Sequence, residues 1–450
     1  MKQFIKILFI AIFVLPLQVN ADDLKNDILP MRERAKVRDA LLIDRFKTVL
    51  PEIMRRNNID MWLIIAREYN EDPVIRTMLP AIWLNARRRT MLVVFDPGND
   101  QPLETYAVAR YAIGEVFKKS WDPEAQPDQY KALADLIKLK DPKKIGVNKS
   151  EFFAQADGLT ATEYELLNSS LPQKYQKRIV SAEKVGIGWL ETRSAKEMEI
   201  YPEICRIAHD IIKEGFSAKV ITPGVTTTDD IVWWYRERIR ELNMVTWFHP
   251  SVDIQRDDRH DFNFLEAFSK SKPDNTVRPG DLLHVDFGIT YLGLNTDTQQ
   301  HAYVLMPGED GVPNELIRAL GTGNRLQDIL TNQFITGRTG NEMLLSALKQ
   351  AKEEGINPQI YTHPIGYYGH GSGPTIGMWD KQGGVPVNGD YPLYPNTAYS
   401  IELNAKIYIK SWNKKVAIML EEDAFFDGKS CKYIDPRQTK MIVINWETDK

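Results

Sequence analysis

Two aspartates, Asp286 and Asp297, stand eleven residues apart in "HVDFGITYLGLNTD". The surrounding pattern is that of a hairpin. "LLHVDFGI" is an apolar strand entered through the turn "RPGD", Gly293 marks a return, and "LNTDTQQHAYVL" resumes the strand. An odd separation puts both carboxylates on one face of an unbulged hairpin with an even-length loop, where direct cross-strand neighbours have Cβ atoms ~4.5–5.5 Å apart. Like charges so placed repel unless a cation lies between them. "YSIELNAKIYIKSWNKKVAIMLEED" repeats the device with Glu402 and Glu421, nineteen residues apart. Glu422 would need a bulge or an odd-length loop to face Glu402, so parity favours Glu421. The apolar neighbours of Asp286 and Glu402 argue against ordinary exposed charges, because a buried carboxylate with neither partner nor metal is costly.

Between the hairpins lies "YTHPIGYYGHGSGPTIGMWD". His363 and His370 are seven residues apart, and Gly366, Gly369, Gly371 and Gly373 allow close backbone approach. An imidazole with several carboxylates is a ligand set for Mn, Zn, Co or Fe, and the hard oxygen donors lean toward manganese.

These residues need elements to hold them. From Arg32 to about Lys184 the chain alternates helical and strand patterns. "RERAKVRDALLIDRFKTVLPEIMRRNNID" has helical periodicity and stops at Asn57 and Asn58, while "MWLIIA", "TMLVVFD" and "KKIGVN" suit strands of a covered sheet. That alternation predicts an α/β domain. Near residue 190 the habit changes. Ser194 and Glu197 have capping-box spacing at the head of a long amphipathic helix, "TTDDIVWWYRERIRELN" predicts a second, and strand-like runs follow. The chemistry-bearing residues all fall in this second, α+β part. The expected layout is a leader over 1–21, an α/β domain over 22–190 and a catalytic domain over 191–450.

The opening "MKQFIKILFIAIFVLPLQVNA" has early lysines, an apolar run and a small residue before Asp22, the pattern of a signal peptide cleaved after Ala21. Its apolar core falls short of the roughly 20 residues of a spanning helix. The mature protein is therefore expected in the periplasm or outside the cell, meeting the membrane only through its leader. A net charge of −4 argues against nucleic acid as a partner. The two cysteines, Cys205 and Cys431, either pair in an oxidising compartment or remain buried thiols.

The ordered set Asp286, Asp297, His363, Glu402, Glu421 resembles that of the creatinase/prolidase/aminopeptidase P family of pita-bread metallopeptidases, and the likeness covers nearly all of the chain beyond the leader. It implies an α/β N-terminal domain followed by a pita-bread catalytic domain. It also implies two divalent metal ions, manganese before zinc, cobalt or iron, with a hydroxide between them that attacks the scissile carbonyl. The five residues take the ligand positions. "HPIGYYGH" matches the family spacing, which makes His363 the ligand and gives His370 the task of steadying the substrate carbonyl or tetrahedral intermediate. One of the two glutamates bridges the metals, and Glu402 is the candidate general base. A substrate-contacting histidine is expected shortly before the first aspartate; His260 is preferred over His249, with a surface histidine as the alternative. His284 shares a strand face with Asp286 but reads better as core packing, and His209 and His301 read as structural. Met419 stands where the family often has an arginine two residues before the last ligand, so support of the ligands should differ.

The activity implied is that of an exported aminopeptidase releasing the N-terminal residue from peptides whose second residue is proline. The alternatives are a prolidase acting on Xaa-Pro dipeptides, a creatinase-like C–N hydrolase, an inactive metal-binding relative and, from another class, a solute-binding protein. Family likeness also implies a homodimer or larger assembly, with "AIWLNARRRT" either at a subunit contact or, through Trp83, in the core.

Overall fold

The computed structural model describes residues 21–258 and 275–447. All of the expected leader but Ala21, and with it His260, lies outside the described residues. The first described element is the short helix Ala21–Asp27, whose Leu24 is buried among catalytic-domain residues. Among the described residues no helix is long and apolar enough to cross a membrane.

The N-terminal half is a mixed sheet with helices on both faces. Its strands are β1 (Met61–Arg67), β2 (Arg89–Phe95), β3 (Glu104–Ala107), β4 (Lys118–Lys119), β5 (Ile145–Val147) and β6 (Ile179–Ser181), in the order β4-β3-β2-β1-β5-β6. The run "MWLIIA" shows why the sheet is covered twice. Trp62 and Ile64 enter one apolar cluster with helix residues Phe46, Leu50 and Ile53, while Met61, Leu63 and Ile65 enter another with Leu133 and Ile137. The expected long first helix is two, Met31–Thr48 and Leu50–Arg56, the second carrying a proline in its first turn and ending at Asn57 as anticipated. Trp83 is half-buried against the first cluster, while its neighbours Ile82 and Leu84 are exposed.

The helix Glu183–Glu191 leads into the helix Ala195–Gly215, which opens with the expected capping box of Ser194 and Glu197. Glu197 also receives the buried guanidinium of Arg45 at 2.6 Å, tying the N-terminal helix to the catalytic half. The helix Thr228–Glu241 follows, and then the strands begin. One sheet contains β7 (Ser251–Gln255), β8 (Leu282–Phe287), β11 (Thr298–Val304) and β19 (Ile442–Ile444), ordered β19-β11-β8-β7. A two-stranded ribbon, β9 (Thr290–Tyr291) and β10 (Leu294–Asn295), sits at the tip of the β8–β11 hairpin. Strands β12 (Pro358–Ile360), β15 (Leu403–Ile409) and β16 (Lys414–Leu420) form a sheet ordered β12-β15-β16; β13 (His363–Pro364), β14 (Thr397–Ser400), β17 (Asp423–Phe426) and β18 (Cys431–Tyr433) form another in that order. The helices Asn314–Thr331 and Gly340–Glu353 cover the β15–β16 face through Leu320, Leu344 and Ile418.

One register differs from expectation. Asp286 faces Gln299, and Asp297 lies two residues nearer the turn on the diagonal. The cause is local. Tyr291 pairs with Leu294, so the turn is the two residues Leu292 (φ 53°) and Gly293 (φ 89°), both left-handed as a type I′ turn requires. That turn fixes every pair behind it. The parity holds and both aspartates share a face, but they are not direct partners. The second hairpin follows the parity argument fully: Leu403 pairs with Leu420, which brings Glu402 opposite Glu421 one step beyond the ladder. Cys205 and Cys431 are unpaired; Cys205 instead donates to Asp423 at 3.5 Å.

Candidate active site

Five short segments converge. Asp286 comes from β8, Asp297 from the residue before β11, His363 from β13, Glu402 from the link between β14 and β15, and Glu421 from the residue after β16. The two hairpins meet through a backbone bridge in which Gln299 donates to the Glu421 carbonyl at 3.0 Å. β13 pairs with β14 through His363 and Ser400, placing the imidazole over the carboxylates.

Potential ligand atoms of three overlapping sets lie within 4.8 Å of one another: Asp286, Asp297 and Glu421; His363, Glu402 and Glu421; and Asp297, His363 and His370. Asp297 and Glu421 are almost wholly buried, His363 nearly so, and Asp286 and Glu402 half-buried. His363 Nδ1 lies 3.0 Å from the Pro364 carbonyl. With the proton there, Nε2 is left as an acceptor, 3.4 Å from Glu421 and 3.5 Å from Asp297.

The chemistry of this donor set can be tested on the protein alone. Asp286 Oδ1, Asp297 Oδ1 and His363 Nε2 are buried without hydrogen-bond partners, and such orphaned atoms call for an explanation. Burial first, and the charge of Glu421 next, push the carboxyls of Asp286, Asp297 and Glu402 well above the usual carboxylate range. Burial alone would lower His363, but Glu421 and Glu402 outweigh it and raise it to about 9. Without a cation this cluster holds protons that it would not hold in water. A divalent ion reverses each of these shifts by displacing those protons. The residues fit a metal.

His370 lies beside this cluster. Its ring packs edge-on against His363, with centroids 4.7 Å apart, and against Trp247 at 5.1 Å. Its outer edge is exposed. Loss of hydration where the rings pack, and the charge of His363, push it down to about 4, so it is neutral at pH 7. The loop carrying it is anchored from the N-terminal domain: Gln155 donates to the His370 carbonyl at 2.9 Å, and Tyr368 donates to that of Pro73 at 2.7 Å. The loop's glycines are needed for space, since a Cβ at Gly369 would lie 2.2 Å from Trp247.

The other histidines sort by their partners. His249 is exposed, 3.1 Å from Arg236 and packed on Trp233, outside the three ligand sets. His209 lies between Glu422 at 2.7 Å and Asp435 at 2.6 Å, and His301 accepts from the Met419 amide; both are structural as expected. His284 departs from expectation. Its Nε2 lies 3.0 Å from Gln299 Oε1, one residue removed from the glutamates, so it does more than pack. Glu422 is held by His209, Gln300 and Gln438 and turned away from the cluster. Met419 is buried opposite Asn404 and offers no charge to the ligands.

Sequence reasoning missed Gln299, Ser400 and Trp247. Ser400 donates to Glu421 at 2.7 Å, and the Trp247 indole donates to the Thr296 carbonyl at 3.0 Å, next to Asp297. A search confined to ionisable residues could not find them.

Fold and site together define a metal-dependent peptide hydrolase of the pita-bread kind. The profile described as "Metallopeptidase family M24" matches residues 199–427, and the chain belongs to that family. No curated protein sequence matches it. Among solved structures, an X-Pro aminopeptidase from Thermotoga maritima MSB8 is 17% identical with a TM-score of 0.60, covering 87% of this chain and 100% of its own. An Xaa-Pro dipeptidase from Bacillus anthracis is 15% identical with a TM-score of 0.57, covering 92% and 100%. The N-terminal domain of FACT complex subunit SPT16 from Cicer arietinum (chickpea) is 10% identical with a TM-score of 0.52, covering 95% and 100%. At such identities the likeness is one of fold, and substrate must be argued from the site.

Proposed function

We propose that this chain is an exported Xaa-Pro aminopeptidase that uses two divalent ions, manganese first, held by Asp286, Asp297, His363, Glu402 and Glu421. The observation that supports it best is the set of orphaned buried acceptors, Asp286 Oδ1, Asp297 Oδ1 and His363 Nε2, on residues that belong to overlapping ligand sets completed by Glu421 and Glu402. Bound divalent metal supplies Lewis acidity and a water acidified toward hydroxide near neutral pH. The protein's own residues do the rest. Glu402, the most open of the glutamates, takes the proton of the attacking water and returns it to the leaving proline nitrogen. Neutral His370, reaching the cluster at its exposed edge, donates to the developing oxyanion. Trp247 and His363 fix its ring, and the Gln155 contact fixes its backbone.

Release of single residues from longer peptides is favoured over dipeptide hydrolysis because Met419 brings no cation to clamp a free carboxylate. Prolidase activity is the second reading, favoured by the dipeptidase among the structural neighbours. Export rests on the leader pattern over residues 1–21.

The test uses the chain from Asp22 onward, stripped of metal and reconstituted with Mn2+. Cleavage of an Xaa-Pro-Xaa peptide with release of its first residue is expected. Cleavage of an Xaa-Pro dipeptide alone would make it a prolidase, and metal binding without cleavage of either would overturn the peptidase assignment. Finding the unprocessed chain in the cytoplasm of its native host would overturn export.

A further inference from the structure

Gln299 places an uncharged side chain between the two glutamates. Its Nε2 lies 2.6 Å from Glu402 Oε1 and 2.7 Å from Glu421 Oε2. A carboxamide nitrogen carries two N–H groups, so it can donate to both carboxylates at once. Its Oε1 lies 3.0 Å from His284 Nε2, and His284 Nδ1 lies 3.7 Å from Asp253. Gln299 is almost wholly buried, and its own backbone pairs with that of Glu421, so the amide has little freedom to turn away.

The oxygens it engages differ from those nearest the imidazole. His363 Nε2 is closest to Glu421 Oε1 and Glu402 Oε2, whereas Gln299 holds Oε2 of the first and Oε1 of the second. One edge of each carboxylate is therefore tied to the amide while the other faces His363; on Glu421 that other edge, Oε1, also accepts from Ser400 at 2.7 Å.

We propose that Gln299 is a positioning residue for the metal: its amide, braced by His284, sets the rotation of the Glu402 and Glu421 carboxylates and so fixes which oxygens they present. The proposal rests on the metal-site reading above and deepens it. It also supplies a reason why Met419 can stand where a charged residue would otherwise support the ligands, since the support comes from the neighbouring strand. Groups that orient ligating carboxylates typically account for 10–100-fold in metal affinity.

The test is a titration of the metal-free full-length mature protein with Mn2+, alongside visible absorption of the Co2+ form, which reports ligand geometry independently of turnover. Gln299→Met keeps the side-chain length and removes the donors. It should bind Mn2+ 10–100-fold more weakly and shift the Co2+ bands. His284→Phe leaves the amide in place but unbraced, and should fall between wild type and Gln299→Met. Gln299→Ala serves as a second truncation should methionine not fit. Affinity within twofold of wild type with unchanged Co2+ bands in both Gln299 variants, or tighter binding in either, would overturn the proposal while leaving the metal site intact. Failure of the wild-type protein to bind Mn2+ or Co2+ stoichiometrically would overturn the metal-site reading and this inference with it.

Discussion

Asp286→Asn should stabilise the metal-free protein and abolish its response to metal, so that a single substitution acts with opposite signs on the two forms. Asp286 Oδ1 has no hydrogen-bond partner, and ligand atoms of Asp297 and Glu421 lie within 4.8 Å of a carboxylate oxygen of Asp286. At an effective dielectric near 20, a full pair of like charges at that separation costs about 3–4 kcal/mol. The cluster escapes part of that cost by holding protons, which leaves about 1–3 kcal/mol to be recovered when one charge is removed. For a domain of this size each kcal/mol moves the melting temperature by about 2–4 °C, so the metal-free variant should melt roughly 2–12 °C above wild type. Metal at 100 times its Kd stabilises wild type by about 2.7 kcal/mol. If loss of the ligand weakens binding 100-fold, the same concentration stabilises the variant by only about 0.4 kcal/mol. The assay is differential scanning fluorimetry of both proteins with and without Mn2+, with circular dichroism to show equal folding. A variant that melts below wild type when metal-free, or that keeps the wild-type metal shift, would refute the reasoning about this cluster.

Glu421 and Glu422 are adjacent but should behave oppositely: Glu421→Gln loses metal binding and turnover, whereas Glu422→Gln keeps its Mn2+ affinity within a few-fold while losing about 3–5 kcal/mol of stability with its buried His209 partner. Calorimetric metal titration and urea melts of both variants decide it, and loss of metal by Glu422→Gln would contradict the strand register. His209 gives a pH signature. Burial pulls its pKa down, but Glu422 and Asp435 outweigh that and lift it to about 10 from an ordinary value of 6.5. Because the folded value is the higher, the imidazolium's contribution is complete below about pH 6.5 and disappears as pH rises through about 10. Urea melts of wild type and His209→Gln should therefore differ most near pH 6 and converge toward pH 10; a gap that widens with pH would reverse the assignment.

Much of this site is legible in the sequence because strand parity is a discrete property. Glu402 and Glu421 emerge as partners from an odd spacing alone, and the ladder places them opposite one another. Parity assigns Asp286 and Asp297 to the right face but one pair too close, because the register depends on the two left-handed residues of the turn, one of them Leu292, which no turn rule picks out. The capping box at Ser194 is visible because it is local. Trp247 and Gln299 are not, since their roles come from neighbours more than forty residues away and from neutral donors that leave no trace in charge or hydropathy. His284 reads as core packing for the same reason: the partner that gives it a task, Gln299, carries no charge to draw attention to the pair.

The loop that carries His370 leaves heredity almost nothing to work with. A methyl group at Gly366 would lie 2.9 Å from the Arg193 guanidinium carbon, at Gly369 2.2 Å from Trp247, and at Gly371 2.7 Å from the Pro364 carbonyl oxygen. None of the three sites tolerates even alanine without displacing a neighbour, and at Gly371 the obstacle is backbone. Change in descendants of this chain must therefore pass through residues other than these three glycines. A combinatorial library that randomised the "GYYGHG" stretch evenly would spend most of its members on these closed positions. One that spared the glycines would avoid that loss.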